Sequence, residues 1–96
     1  MFEVRETRTF TRWFEKLRDR NARSRIDVRI YRLSFGNRGD VKSVGKGVSE
    51  IRIPYGPGYR VYFCERGRNV VILLAGGDKS SQSRDIRTAQ ELAEQL

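Results

Sequence analysis

Arg52, Arg60 and Lys79 are the residues of this chain best suited to hold a phosphate. They lie in VSEIRIPYGPGYRVYF and VVILLAGGDKSSQ, at strand positions or strand ends. If Ile53 pairs with Tyr59 across the five-residue connection 54–58, Arg52 comes opposite Arg60 on one face of a β-hairpin. Ile51 and Val61 then share the other face. Like charges set directly opposite destabilise a sheet, so an anion between them, or a functional need, is expected. Two guanidinium forks on one phosphate suit electrostatic stabilisation of a phosphorane. Lysine is ordinarily protonated at neutral pH, so Lys79 reads as a fixed cation beside them. The alternative is that these are surface charges paired with Glu50, Asp78 and Asp85.

The chain contains no histidine and one cysteine, Cys64. Nucleophilic catalysis by Cys64 would need a nearby base, so it reads as a small core residue. The same composition argues against a metal site, and no phosphate-cradling glycine motif is present. No cofactor is expected. Tyr62 shares the face of Arg60 and is the tyrosine expected to stack on a base, with Tyr55 in the hairpin loop a second candidate. Tyr59 shares the face of Val61 and is expected in the core. Lys42 and Lys46, before the hairpin, are candidates for phosphate contacts. Arg25, Arg29 and Arg32 recur along a second helix as a basic stripe, either a solvated face or a grip on RNA or an acidic partner.

Net charge is +8 and sixteen of the twenty basic residues are arginines, a bias toward a polyanionic partner. Ninety-six residues fit one domain, residues 1–96. No apolar run approaches the ~20 residues of a membrane span, and a lone cysteine suits a reducing compartment, so a soluble cytoplasmic protein is expected.

The elements that must position these residues follow from periodicity. Phe2 to Arg5 reads as a short strand. Phe10, Trp13, Phe14 and Leu17 form the apolar stripe of a helix capped by Thr7 or Thr9. Asn21 is a plausible cap for a second helix, with Ala22, Ile26, Ile30 and Leu33 inward and Gly36 at its stop. Val41–Val44 suits a short edge strand, followed by strands at Val48–Ile53 and Tyr59–Cys64. The continuously apolar Val70–Ala75 reads as a strand buried on both faces and ended by Gly76-Gly77-Asp78-Lys79. Ser81 or Ser83 can cap a last helix containing Ile86, Ala89, Ala93 and Leu96. The fold class is α+β, in the order β-α-α-β-β-β-α: an antiparallel sheet packed by an N-terminal helical hairpin, with a C-terminal helix.

On the helical hairpin, YGPGYRVYF and the LLAGGDKSSQSRDI block, the chain resembles RelE/ParE-superfamily toxins of type II toxin–antitoxin systems, in particular the HigB-like addiction module killer proteins. The resemblance spans nearly the whole chain, and its middle and last blocks are the specific ones. It implies a ribosome-dependent endoribonuclease that cuts mRNA without a metal, inhibits translation, and is neutralised by a cognate antitoxin protein. Arg60 matches the family's central-strand arginine, Lys79 lies where a cation follows the last strand, and Arg52 corresponds to a basic site one strand earlier. The RelE pattern also carries a tyrosine in its C-terminal segment, and this chain has none after Tyr62. ParE-like members instead poison DNA gyrase by binding, which is the alternative function. A non-enzymatic RNA-binding module is a third.

Overall fold

The computed structural model describes residues 1–96. Strand β1 (Glu3–Glu6) leads into helices α1 (Arg8–Glu15) and α2 (Arg20–Ser34). Strands β2 (Val41–Ser43), β3 (Ser49–Ile53), β4 (Tyr59–Arg66) and β5 (Val70–Asp78) follow, and a 3-10 turn at Lys79–Ser81 leads into α3 (Gln82–Glu94). The five strands form one sheet in the order β1-β5-β4-β3-β2. The α+β class is found, with the first strand, the two helices and the last helix where expected. The expected order has three strands between the helices and the structure has four, the short β2 being a strand of its own in a sheet that is mixed and not wholly antiparallel.

The sheet is mixed. Strands β2 to β5 are joined by short connections and pair antiparallel, whereas β1 lies parallel to β5, with Glu3 opposite Val70 and Glu6 opposite Leu73. Its pairing partner is 67 residues away, so no turn signal announces the direction.

Two caps differ in their details. Thr7 caps α1 as expected, accepting from the Phe10 amide at 3.1 Å. The cap of α2 is Asp19, not Asn21: the helix begins at Arg20, and the Asp19 carboxylate accepts from the amides of Asn21 and Ala22. Backbone hydrogen bonding from Ala22 and the Tyr55 hydroxyl hold that carboxyl below its ordinary range. Ser81 stands at the start of α3, but its hydroxyl donates to Asp85 Oδ2 instead of capping an amide.

The helices divide the core between the two faces of the sheet. Phe10 of α1 and Ile26 and Leu33 of α2 pack with Ile51, Val61 and Phe63 on one face. Ala89 and Ala93 of α3 pack with Tyr62, Cys64 and Leu74 on the other. Trp13, Phe14 and Leu17 are partly buried against the first cluster. Strand β5 is thus covered on both sides, as its unbroken apolar run requires. A bulge interrupts its pairing with β4: Tyr62 opposes Ala75 and Phe63 opposes Leu73, leaving Leu74 unmatched. Leu74 and Ala75 consequently both join the cluster under α3. No helix is long and apolar enough to cross a membrane.

Strand β5 does not end at Ala75. It runs through Gly76 and Gly77 to Asp78, because both glycines are sites of close approach. A Cβ on Gly76 would lie 2.2 Å from the Trp13 ring, and one on Gly77 would lie 1.9 Å from Asp85 Oδ2. Gly76→Ala is therefore expected to lower stability by about 1–3 kcal/mol, the usual range for overpacking, measured as a shift in urea midpoint with an unchanged slope.

Candidate functional site

The β3–β4 connection sets the site. Gly56 and Gly58, with φ of 57° and 81°, let the chain reverse over residues 54–58. The register is the expected one: Ile53 opposes Tyr59, Arg52 opposes Arg60, and Ile51 opposes Val61. Paired residues project from the same side of a sheet, so Arg52, Arg60 and Gly77 form one row. Lys42, Glu50, Tyr62 and Ala75 form the next row. Tyr62 places both rows on the α3 side.

The two arginines do not stand free. Between them lies Glu50, a carboxylate with no exposed surface. Arg52 Nε donates to Glu50 Oε1 at 3.1 Å, Arg60 Nε lies 3.5 Å from Oε2, and Gln82 Nε2 donates to Oε2 at 2.9 Å. Taken alone, burial raises the pKa of Glu50. The hydrogen bonds from Gln82 and Arg52, the Tyr62 hydroxyl and the charge of Arg60 outweigh it and hold the carboxyl below its ordinary range. Pairing with Glu50 is thus the answer to the like-charge problem posed by the hairpin register. The charge of Arg60 also acts on Asp78, and Asp40 lines the adjoining cavity, so Glu50 is not the only carboxylate near the pair.

Both arginines face Glu50 with Nε, but only that of Arg52 hydrogen-bonds to it; the buried Nε of Arg60 has no hydrogen-bond partner. Arg60 Nη1 is held by the carbonyl of Gly58 at 3.1 Å, while the Nη atoms of Arg52 bond to nothing in the chain. The Arg52 side chain is 38% exposed and that of Arg60 is 13% exposed. A cavity of about 150 Å³ opens here, lined by Asp40, Arg52, Ile53, Gly58, Tyr59 and Arg60 together with Pro54.

Lys79 joins this group. A Cβ on Gly58 would lie 3.6 Å from Arg60 Nη1 and 3.7 Å from the Cβ of Lys79, so the root of the Lys79 side chain stands beside the Arg60 guanidinium. Lys79 is exposed and has no ion-pair partner, and Lys42, exposed in the row of Glu50, has none either. Lys42, Arg52, Arg60 and Lys79 share this end of the sheet with Glu50, Asp78 and Asp85, and Asp40 lines the cavity beside the arginines. Asp78 is engaged locally: the Ser80 hydroxyl and amide hold its carboxyl low, with the charges of Arg60 and Arg84 assisting.

The remaining candidates lie elsewhere. Tyr62 is completely buried, so its ring is unavailable to stack on a base, contrary to its expected role. Its hydroxyl faces Glu50 without an aligned hydrogen bond, and burial and that negative charge push the phenol far above its ordinary pKa. Tyr55 is tied to the helices instead: its hydroxyl donates to Asp19 Oδ2 at 2.9 Å, and the Arg25 guanidinium covers its ring at 4.6 Å. Arg29 is engaged by the carbonyls of Arg52, Arg38 and Asp40. Lys46, in a left-handed conformation at φ 56°, pairs with Glu94 at 3.5 Å. Tyr59 packs edge-on against Trp13 as a partly buried residue, in keeping with a core role. Glu50 is two residues from Arg52 on the same strand face, a signal readable in sequence. Gln82 and Asp85 carry no such signal, because α3 delivers them.

The depressed Glu50 carboxyl makes stability depend on pH. Its contribution is fully present above the unfolded-state value of about 4.3 and is lost as pH falls through the lower folded value. Glu50→Gln is expected to destabilise by less than the ~3–5 kcal/mol of a fully buried broken pair, since Arg52 is partly solvated. Urea titrations from pH 7 to pH 2 should show a weaker acid-side decline in the variant than in the parent.

A family model described as "Phage derived protein Gp49-like (DUF891)" matches residues 12–96. An uncharacterized protein of Haemophilus influenzae is 49% identical over 94 residues, which is 98% of this chain and 95% of the relative. No solved structure matches. With its cation-rich hairpin and its glycine-packed last strand, the chain belongs to the phage-derived Gp49-like family, part of the RelE/ParE-like toxin group.

Proposed function

We propose that this chain is a HigB-like toxin of a type II toxin–antitoxin module and that it inhibits translation by cutting mRNA on the ribosome. The observation that carries this reading is the Arg52–Glu50–Arg60 cluster: two guanidinium groups held in register across the hairpin, the Nη atoms of Arg52 free of intrachain bonds, beside a small open cavity. In RNA cleavage the 2′-hydroxyl gives up its proton to solvent and bonds to the neighbouring phosphorus, and charge gathers on the phosphorane oxygens. The bond to the 5′-oxygen breaks as that oxygen takes a proton from solvent, leaving a 2′,3′-cyclic phosphate. Arg52 and Arg60 bind and polarise that phosphate, and Lys79 adds positive charge at its edge. The buried Tyr62 hydroxyl, strongly disfavoured as a phenolate, is not the proton acceptor. With so sparse a catalytic set, rate depends on the ribosome presenting the RNA in line, so free RNA is a poor substrate. A cognate antitoxin holds the toxin silent, and the protein works in the cytoplasm.

Induction of the chain in a translating extract, followed by mapping of transcript ends, tests this. The parent should generate discrete new mRNA ends. Arg60→Ala, verified as folded by circular dichroism, should reduce cutting by about 10²–10³-fold, the range for losing one preorganised donor. Lys79→Ala should reduce it less. Unimpaired cutting by Arg60→Ala would remove the site assignment. Intact transcripts accompanied by gyrase-trapped DNA breaks would instead identify the ParE-like activity.

A further inference from the structure

The cavity of about 150 Å³ beside the arginine pair holds one group that binding a phosphate does not call for. Asp40 lines it together with Arg52, Arg60 and Gly58, while Ile53, Pro54 and Tyr59 supply apolar wall. A carboxylate repels a phosphate, so Asp40 suits a second kind of ligand group, one that donates hydrogen bonds. Its main chain is anchored. The Asp40 carbonyl accepts from the Arg52 amide at 3.1 Å and from Arg29 Nη2 at 3.2 Å. Gly39, at φ 66°, admits that guanidinium, since a Cβ there would lie 2.9 Å from Arg29 Nη2. Backbone contacts therefore set the place of Asp40. Its side chain is in no ion pair, although two arginines line the same space.

We infer that this cavity is a base pocket in which Asp40 selects guanine, the base of the nucleotide whose phosphate Arg52 and Arg60 hold. An ionised carboxylate only accepts, and its two oxygens accept side by side. Guanine presents two adjacent donors, N1–H and the N2 amino group, on its Watson–Crick edge. Adenine and cytosine place an amino group next to a bare ring nitrogen, and uracil flanks its single N–H with two carbonyls. Each of these sets an acceptor against a carboxylate oxygen. Tyr59 and Pro54 provide surface for the faces of the ring. The volume is that of about five waters in the liquid, room for a single base. The hydrogen bond from the Arg52 amide to Asp40 ties the base-reading residue directly to a phosphate-holding one.

This inference rests on the reading of the arginine pair as a holder of RNA phosphate, and its test separates the two. The purified chain is titrated with the 3′-monophosphates of guanosine, adenosine, cytidine and uridine, followed by NMR. The guanosine nucleotide should bind more tightly than the other three by roughly 5- to 150-fold, the range for one bidentate base contact. Asp40→Ala should bind all four alike. Asp40→Asn, which offers one acceptor and one donor, should move the preference to adenosine or cytidine, a switch that simple loss of structure does not produce. Asp40 is exposed, so both variants alter no buried group. Arg60→Ala should weaken all four nucleotides and keep their order. In the translating extract, ends made by the parent should fall beside guanine and those made by Asp40→Asn beside adenine or cytosine. Equal binding of the four by the parent, binding of none, or a guanine preference that survives in Asp40→Ala would each overturn the inference. A guanine preference without transcript cutting would keep the pocket and remove the ribonuclease reading. Cutting with no base preference would keep the ribonuclease and overturn the pocket.

Discussion

A carboxylate with no solvent contact is costly unless several donors converge on it, and the functional face of this protein is organised around one such group. Glu50 receives Arg52 from its own strand, Arg60 from the next strand and Gln82 from the last helix. Two neighbouring strands and a helix remote from them in sequence thereby meet at one pair of oxygens. The same contact resolves a conflict built into the hairpin, where a fixed register sets two guanidinium groups opposite each other. Asp78 also feels the charge of Arg60, so more than one carboxylate offsets the arginine pair. Arg52 keeps both Nη atoms free of intrachain bonds and lines the small cavity there.

The approach of α3 to that face depends on atoms that are absent. Gly77 lies in the row of Arg52 and Arg60, and its missing side chain is the space occupied by Asp85. Gly76 performs the same service for Trp13 on the opposite face. One glycine pair therefore admits an aromatic ring from α1 on one side and a carboxylate from α3 on the other. Gly58 plays a related part in the hairpin turn, where the Arg60 guanidinium and the root of the Lys79 side chain both approach it. Rigid positioning of the cations rests on these close contacts rather than on a large core, as a chain of this length requires.

Arginine is used in two distinct ways on the two faces. On the α3 side, guanidinium groups retain free donor edges beside a cavity. On the α2 side, Arg29 spends its donors on three backbone carbonyls and Arg25 lies flat on Tyr55. The planar fork serves as a structural clamp there, joining α2 to β3 and the preceding loop. Tyrosines divide likewise: Tyr62 is a buried floor for the ion cluster, whereas Tyr55 ties the hairpin loop to the cap of α2 through Asp19.

The sequence by itself determined the class and order of the elements, the register of the hairpin, and the meeting of Arg52 with Arg60. Those depend on short-range patterns: apolar spacing of 3.6 or 2, turn residues at 54–58, and pairing across a short connection. Only the tertiary structure decided that β1 runs parallel to β5, that β5 continues through two glycines, and that Tyr62 is sealed beneath the site. It alone placed Gln82 beside Glu50, and assigned Arg25, Arg29 and Tyr55 to the opposite side of the sheet. Each of those outcomes depends on which surfaces close over one another. Packing between elements far apart in the chain leaves no periodic trace in the residues that take part in it.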